Sequence, residues 1–188
     1  IDSMHLGGTS IQFVPDVSEK DGREKSKEVL KKVERIFKKN NAGAIFIENG
    51  IVSQYMGGSV LAARWRPDLE CPIEISNPAP SEFFGIPDGT NFYRLKEAWI
   101  IREIKYSEAK SYFPDIPETQ RVFYYTEHWT PQEYEIAING QTLQFGEMLA
   151  KGKNPFGVVP IVYIPHIRDS GFYGKSLITE SVKGVIRE

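Results

Sequence analysis

The dipeptide Asn139-Gly140 separates two short segments, Glu133 to Ile138 and Gln141 to Phe145, in which apolar and polar residues alternate. Asn-Gly is typical of the tight type I′ turn, because both of its residues tolerate a positive φ. Alternation with a period of two places side chains on two faces in turn, as in a half-buried strand. The sequence therefore predicts a β-hairpin. Two side chains of its second strand are expected to point inward: Leu143 and Phe145.

Further segments rich in β-branched and aromatic residues precede this hairpin, and turn-forming residues separate them. The predicted strands are Ser59 to Arg66, Pro72 to Ser76, Tyr93 to Tyr106 and Arg121 to Trp129. The first two are expected to pair. In the third we expect Trp99 and Ile101 on one face, and Ala98, Ile100 and Ile104 on the other. Short connections between consecutive strands favour a mostly antiparallel meander.

Two other stretches of this region carry weaker patterns. Asn77 to Asn91 contains three prolines and two glycines, which predicts a largely irregular loop. Phe83 and Phe84 are expected to anchor that loop to the body of the protein. Ser107 to Phe113 is predicted to form one helical turn.

Two helices are predicted before the strands. Ser18 to Asn41 has an apolar stripe at helical spacing and a lysine-rich opposite side, a pattern typical of an amphipathic helix. Ala42 to Tyr55 is apolar on most sides, which favours a largely buried helix, broken or weakened at Gly50. A short strand is expected upstream, at Ile11 to Val14.

The last third of the chain, Asn154 to Glu188, predicts a turn, a strand, a glycine-containing loop and a helix. Val158 to Ile164 is almost continuously apolar, which indicates a strand that is covered on both faces. Pro160 lacks a ladder donor and favours an edge position or a local irregularity. The final helix is expected to open at Lys175 or Ser176 and to continue to the last residue.

These elements predict an α+β fold, with N-terminal helices, a mostly antiparallel β-sheet or meander, and the start of a C-terminal helix. We expect a single domain over residues 1–188. It divides into an N-terminal arm (1–17), a helical part (18–56), a sheet-rich part (57–168) and a last helix (169–188). A chain that opens with isoleucine and stops within a predicted helix is expected to be a fragment of a longer protein.

Composition limits the classes of function. The net charge of −2 and the pI near 6.0 give no overall basic field for nucleic acid. The single cysteine, Cys71, excludes an internal disulfide and a thiolate zinc cluster. No apolar run approaches the roughly 20 residues that span a bilayer. The first residues have no signal-peptide pattern.

Chemistry-bearing residues form no recognisable catalytic or metal-binding pattern. The three histidines, His5, His128 and His166, are far apart in sequence and fit no compact ligand motif. Paired carboxylates such as Glu133 and Glu135 lie at strand spacing, which is typical of a solvated face. We therefore predict no enzymatic activity, no catalytic residue, no cofactor and no metal site.

Two features leave other functions open. Gly174-Lys175-Ser176 follows a hydrophobic strand and precedes a helix, like the end of a phosphate-binding P-loop. Asp169, however, stands where the first glycine of that motif belongs. The aromatic strand Phe123 to Trp129 could stack on bases or sugars, although core packing is the commoner use of such residues. The alternatives are a nucleotide-binding enzyme domain with a degenerate P-loop and an aromatic-lined ligand-binding module.

Two blocks of the sequence resemble the portal proteins of tailed bacteriophages and prophages. Ala42 to Arg66 is similar to that family's apolar helix, glycine break and first sheet strand. IEISNPAPSEFFGIPD and LKEAWIIREI continue the likeness through a loop and the next strand. Asn154 to Ser181, NPFGVVPIVYIPHIRDSGFYGKSLITES, is similar to the family's turn, strand and glycine-marked entry into a helix. Ser59 and Asn77 depart from it, because acidic residues are common there.

The resemblance implies a structural virion component, the head–tail connector, and no reaction of its own. Identical copies would form a ring, typically a dodecamer, that surrounds the DNA entry and exit channel at one capsid vertex during genome packaging. The implied partners are other copies, the terminase, the capsid shell or scaffold, head-completion proteins and double-stranded DNA, with no membrane. The implied location is the virion, and the host cytoplasm during assembly.

The matching region is the peripheral wing of that family, and residues 169–188 would lead into a stem beyond this sequence. Within the wing, helix Ser18 to Asn41 and an exposed sheet face are expected to contact neighbouring subunits or the shell. The lysine-rich side of the helix, including Lys31, Lys32, Arg35 and Lys38, carries that expectation. No residue is assigned to DNA contact.

Overall fold

The chain is described by a computed structural model over residues 3–6, 9–12, 20–89, 91–116, 122–168 and 171–178. It has the predicted α+β fold, with helices, antiparallel strands and one hydrophobic core between two sheets. The helices are α1 (Lys20–Lys39), α2 (Ala42–Met56) and α3 (Tyr106–Tyr112). The first strands are β1 (Ser3–Leu6), β2 (Thr9–Gln12), β3 (Gly58–Trp65), β4 (Ile73–Ser76), β5 (Phe83–Asp88) and β6 (Asn91–Ile104). The later strands are β7 (Phe123–Trp129), β8 (Glu133–Ile138), β9 (Gln141–Thr142), β10 (Gln144–Phe145), β11 (Met148–Leu149), β12 (Lys151–Lys153) and β13 (Ile161–Pro165).

The two long helices lie where the sequence predicts them. They are separated at Asn41, which adopts the left-handed conformation with φ 49°. The expectation that α2 weakens at Gly50 is wrong, because the helix is continuous from Ala42 to Met56. Gly50 is exposed, and a glycine in a helix costs only about 1 kcal/mol relative to alanine, which is too little to interrupt a helix of 15 residues.

The larger sheet is antiparallel, with the order β12-β8-β7-β6-β5, and β9 also pairs with β8. The predicted hairpin is confirmed, because Asn139 and Gly140 have φ of 49° and 80° and join β8 to β9. Leu143 and Phe145 are buried, as expected. The predicted faces of β6 are also confirmed: Ala98, Ile100 and Ile104 are buried.

The prediction of an irregular Asn77 to Asn91 loop is wrong, because β5 forms the edge of this sheet. Pro87 is accommodated where the pairing with β6 shifts register, so its missing N–H interrupts no regular ladder. Phe83 is a buried anchor, but Phe84 points to the opposite side and is 52% exposed. Adjacent residues of a strand point to opposite faces, so both cannot anchor the segment.

The smaller sheet has three antiparallel strands in the order β13-β3-β4. The predicted pairing of the segments now seen as β3 and β4 is confirmed. β13 is an edge strand, but Pro160 precedes it instead of interrupting it. The expectation that this strand is covered on both faces is wrong, because Ile161 and Tyr163 are buried whereas Val162 and Ile164 are exposed. An uninterrupted apolar run thus does not require burial on both sides.

The two sheets pack against each other through buried side chains of β3 and β13 on one side and β5 to β8 on the other. The core includes Val60, Phe83, Ile100, Trp129 and Tyr163. α2 packs on β3. Since Val60 and Ala62 face the larger sheet and Ser59 is also buried, α2 covers the other face of the smaller sheet.

The ends of the chain are described only in part. β1 and β2 pair as antiparallel strands, and β2 is displaced from the predicted Ile11 to Val14 strand. Residues 7, 8 and 13–19 lie outside the described residues. β11 and β12 were not predicted, because each has only two or three residues. Leu177 and Ile178 are helical, and the remainder of the predicted last helix lies outside the described residues.

Candidate functional site

The two sequence blocks that carry the family resemblance meet at the turn between α2 and β3. The Gly57 carbonyl accepts a hydrogen bond from the His166 N–H at 3.0 Å and one from the Tyr163 hydroxyl at 3.4 Å. The Gly174 N–H donates to the Tyr163 hydroxyl oxygen at 3.1 Å. Residues more than one hundred positions apart therefore share one hydroxyl group.

Glycine is required on both sides of this junction. A Cβ on Gly57 would lie 2.6 Å from the Gly174 carbonyl oxygen, and Gly57 has a φ of +83° that side chains rarely adopt. A Cβ on Gly174 would overlap the Gly57 carbonyl oxygen, and one on Gly58 would overlap the Tyr163 ring. The glycines serve close backbone approach between distant segments.

The same packing uses backbone donors that a phosphate site would need. In a P-loop, successive N–H groups point at the bound phosphate. Here the Gly174 N–H is bonded to Tyr163, and the Lys175 N–H donates to the Ile167 carbonyl at 2.9 Å. This geometry favours a structural helix entry at Gly174-Lys175-Ser176 over a nucleotide site.

The aromatic strand β7 places its largest rings in the core. Trp129 is almost fully buried, stacks on Tyr134 with 4.6 Å between ring centroids, and donates its indole N–H to Glu127 at 3.2 Å. Phe123 and Tyr125 are buried as well, whereas Tyr124 is half exposed on the outer face. The rings predicted as a ligand platform are thus mostly enclosed, and Trp129 is inaccessible to a sugar or a base.

A buried charge cluster joins the two sheets. Glu127 of β7 is 0% exposed and forms an ion pair with Arg64 of β3, whose Nε donates to Glu127 Oε1 at 2.7 Å. The Tyr125 hydroxyl donates to the same oxygen at 2.8 Å, and the Arg64 guanidinium also donates to the Ser76 hydroxyl at 2.6 Å. Every polar group of Glu127 therefore has a partner inside the core.

These surroundings shift the ionisation of the cluster. Burial alone would raise the pKa of Glu127, but the Arg64 charge and hydrogen bonds from Arg64, Tyr125 and Trp129 outweigh it, so its pKa is lowered. The pKa of Tyr125 is raised well above its ordinary value, first by burial and then by the Glu127 charge. Glu127 is therefore a carboxylate at neutral pH, held where neither solvent nor substrate reaches it. The cluster connects the two sheets, and it is too deeply buried for a substrate to bind to it.

The other side of the larger sheet is open, and we call it the outer sheet face. Its half-exposed or partly exposed side chains include Phe84, Ile86, Trp99, Ile101, Tyr124 and His128. Trp99 and His128 stack in parallel with 5.0 Å between ring centroids. His128 Nε2 lies 2.6 Å from Glu97 Oε1. The face combines an apolar patch with carboxylates, a composition suited to contact with a basic amphipathic partner.

The helix α1 presents the opposite charge. Between residues 24 and 39 it carries seven lysines and arginines and three glutamates. Lys32 pairs with Glu28, and Arg35 and Lys39 both pair with Glu70. Lys27, Lys31 and Lys38 are exposed, lie on one side of the helix and form no ion pair within the described residues. We call these three lysines the lysine stripe.

Asn40, which follows α1, fixes that helix against the smaller sheet. Its side-chain amide donates to the Ile73 carbonyl and accepts from the Ile75 N–H, both at 2.8 Å. These bonds satisfy backbone groups at the open edge of β4 that a neighbouring strand would otherwise bind. With the Glu70 ion pairs, they hold the C-terminal part of α1 at this edge.

The expectation that α2 is largely buried is wrong, and its apolar residues face outward whereas polar residues face the sheet. Ile47, Ile51 and Tyr55 are about half exposed at intervals of four residues, whereas Asn49 and Ser53 are buried. Within the described part of the chain, the Asn49 Oδ1 and the Ser59 Oγ are buried without a hydrogen-bond partner. A helix that is apolar on its outward side is one that an assembly normally covers.

The remaining candidates are weaker. Cys71 is partly buried, with its Sγ 3.9 Å from the Ile73 carbonyl oxygen. A cavity of about 290 Å³ is lined by residues that include Phe113, Asp115 and Asn139. No group of three or more histidine, cysteine or acidic residues in the described part of the chain is arranged to hold a metal ion. His166 contributes its backbone to the glycine junction, and the side chain of His5 lies outside what is described.

Sequence reasoning missed the residues that matter most to the geometry. Arg64 and Glu127 lie in strands and have the same parity as the core residues Val60 and Trp129, but the sequence did not show which face of either strand is buried. Tyr163 and Asn40 carried no such signal. Their roles depend on which segments meet in space.

No protein-family model matches the chain, and the comparison with curated proteins gives no match. Among the described helices, none is both long enough and apolar enough to cross a membrane.

Proposed function

We propose that this chain is the wing region of a tailed-phage or prophage portal protein, a structural subunit of the ring that forms the DNA channel at one capsid vertex. One observation supports the proposal most. The two blocks that resemble the family form a single tertiary unit, in which β3 pairs with β13 and Gly57 contacts Gly174. A chance likeness in two separate segments would have no reason to coincide with one close-packed junction.

The distribution of surfaces is consistent with a structural role. The buried charges of Arg64 and Glu127 are enclosed, and the glycine junction uses its own backbone donors. The exposed features are broad surfaces: the lysine stripe, the outward side of α2 and the outer sheet face. In this role they contact neighbouring copies, the shell or scaffold, while the terminase supplies ATP hydrolysis and double-stranded DNA passes through the assembled channel.

Electron microscopy and native mass spectrometry of the protein test the proposal. Closed rings of identical subunits with a central hole, a dodecamer by analogy with the family, are the expected result. A protein that stays monomeric and binds ATP, with binding abolished by Lys175→Ala, would overturn it in favour of a nucleotide site. Quenching of Trp129 fluorescence by a glycan or peptide would instead favour the ligand-binding module, and burial of Trp129 makes us expect none.

A further inference from the structure

We propose that the lysine stripe of α1 in one copy docks on the outer sheet face of a neighbouring copy, and that this head-to-tail contact joins subunits. The inference rests on the proposed function, in which identical copies form a ring.

The charge distribution of the chain is the first reason. Residues 24–39 carry a net charge of +4, from seven basic and three acidic side chains, whereas the whole chain carries −2. The rest of the chain therefore carries −6. A subunit with one basic helix on an acidic body attracts its own copies when the helix of one faces the body of the next.

The outer sheet face carries carboxylates on both sides of its most apolar part. On the part of this face formed by β5, β6 and β7, Glu97 and Glu103 contribute negative charge at the two ends of the patch around Trp99 and Ile101. His128 lies among these side chains and is paired with Glu97, and two exposed lysines are close in sequence to the carboxylates: Lys96 next to Glu97, and Lys105 two residues after Glu103. A basic partner would meet carboxylates on both sides of an apolar strip.

The dimensions of the two surfaces agree. Lys27 and Lys38 are eleven residues apart on one side of α1, which is about 16 Å along a helix. Glu97 and Glu103 are six residues apart on one face of β6, which is about 20 Å along a strand. A helix laid along β6 could place lysine ammonium groups near both carboxylates. The aliphatic stems of the lysines would then cover the apolar strip between them.

The order of the layers explains why the outer sheet face would bind α1 of a second copy and not α1 of the same chain. α2 lies on one face of the smaller sheet, the larger sheet packs on the other, and the outer sheet face is the far side of that larger sheet. Asn40 and Glu70 hold α1 at the edge of β4. The helix of a chain therefore cannot reach the outer face of the same chain. A contact between unlike surfaces of identical copies is heterologous, and it closes into a ring when the rotation permits.

A charge-exchange experiment tests this contact. The first variant carries Lys31→Glu and Lys38→Glu, and the second carries Glu97→Lys and Glu103→Lys. Sedimentation velocity and native mass spectrometry measure self-association of each variant, of the two mixed, and of the wild type. Lys110→Glu and Glu147→Lys are matched controls at exposed positions on α3 and on the β10–β11 turn. Circular dichroism and thermal unfolding establish that each variant is folded.

We expect each double variant alone to associate at least about tenfold more weakly than the wild type, because like charges then face each other. Mixing them restores association, since each reversed surface meets an oppositely charged one on the other variant. A chain that carries all four changes is also expected to associate with itself. The controls are expected to behave as the wild type.

The outcomes separate this inference from the proposed function. Rings that form equally well from both variants overturn the proposed contact and leave the ring intact. Pairwise association that follows the charge-exchange pattern without closed rings supports the contact and counts against the portal assignment. No association of any kind counts against both. If the lysine variant loses retention on duplex DNA while its assembly is unchanged, the lysine stripe is a nucleic-acid surface and the inference is wrong.

Discussion

Glu127 and His128 are neighbours on β7, yet they belong to two different regions of the molecule. Glu127 points into the space between the sheets, where it is 0% exposed and bound by Arg64, Tyr125 and Trp129. His128 points to the outer sheet face, where its side chain is 35% exposed and contacts Glu97 and Trp99.

The difference shows how neighbouring ionisable side chains can serve either the stability of the core or contacts at the surface. An ionised group in the core must have every partner supplied by the fold, because leaving a buried charge unpaired is far more costly than breaking a solvated contact. A polar side chain on an exposed face can replace its hydrogen-bond partner with water. It can also exchange that partner for a group of another protein. Stability is therefore expected to depend on the inter-sheet side of β7, and recognition on the outer side.

Removing the buried carboxylate is expected to have the largest effect. Glu127→Ala leaves Arg64 charged and unpaired inside the protein, and we expect it to lower the free energy of unfolding by about 3–5 kcal/mol. Glu133→Ala, which removes an exposed carboxylate from the next strand, is the matched control and should change it by about 0.5 kcal/mol or less. Urea denaturation followed by circular dichroism measures both.

The paired replacement Arg64→Met with Glu127→Leu sharpens this test. Apolar substitution of a whole buried ion pair is often close to neutral, so the double variant should be more stable than Glu127→Ala. Equal losses in Glu127→Ala and Glu133→Ala would remove the contrast between the inter-sheet side and the outer side of the larger sheet.

The glycine junction should give the next largest effect. Gly174→Ala forces a methyl group against the Gly57 carbonyl, and overpacking of this kind typically costs about 1–3 kcal/mol. Gly171→Ala, three residues earlier in open space, is the control and is expected to be nearly silent. Thermal unfolding distinguishes the two, and similar melting temperatures for both variants would argue against close packing at Gly174.

Tyr163→Phe tests the hydroxyl that links the two sequence blocks. It removes the partner of the Gly174 N–H while keeping the ring that stacks on Phe83, so we expect a loss of about 1 kcal/mol. Tyr124→Phe removes an exposed hydroxyl on β7 and should change little. Hydrogen exchange at the Gly174 amide gives a second measurement, since its protection should fall in Tyr163→Phe alone.

Lowering the pH is expected to decrease the stability of the protein, in part because Glu127 becomes protonated. Because the folded protein lowers the pKa of Glu127, the stabilisation from its ionised form is present above the unfolded value of about 4.3. That stabilisation is lost as the pH falls through the lower folded value. Glu127→Gln is therefore expected to show a shallower loss of stability below about pH 4.3 than the wild type. Denaturation at a series of pH values from neutral to acid measures this slope, and identical slopes would contradict the assignment.

The smallest effect on stability is expected on the outer sheet face. His128→Gln removes a partly exposed ring from Glu97 and Trp99, and we expect a change of about 0.5 kcal/mol or less in the free energy of unfolding. A loss as large as that of Glu127→Ala would show that the outer cluster is part of the structural core. Denaturant unfolding at neutral pH gives the comparison directly.

Much of the fold could be predicted because local patterns reflect local geometry. The alternation around Asn139-Gly140 correctly predicted a hairpin, and the helical stripe that ends near Asn40 correctly predicted α1. The patterns gave wrong predictions where two different structures are compatible with the same local sequence. Phe83 and Phe84 are both apolar, but the position of β5 at the sheet edge buries one and exposes the other.

The candidate surfaces could be predicted only in part from the sequence. The basic side of α1 and the existence of an exposed sheet face followed from composition and alternation. The ion pairs of Arg35 and Lys39 with Glu70 occupy two of the basic side chains of α1, and that could not be predicted because Glu70 lies in a distant turn.

The sequence by itself determined the α+β class, the order of helices and strands, and the residues that alternate between faces, because periodicity depends on backbone geometry within one segment. Only the tertiary structure decided that Glu127 is ionised inside the core, that Gly57 and Gly174 share one contact, and that α1 and the outer sheet face lie on separate sides of the subunit. Each of these depends on which distant segments pack together, and burial, charge pairing and close backbone approach arise only from that packing.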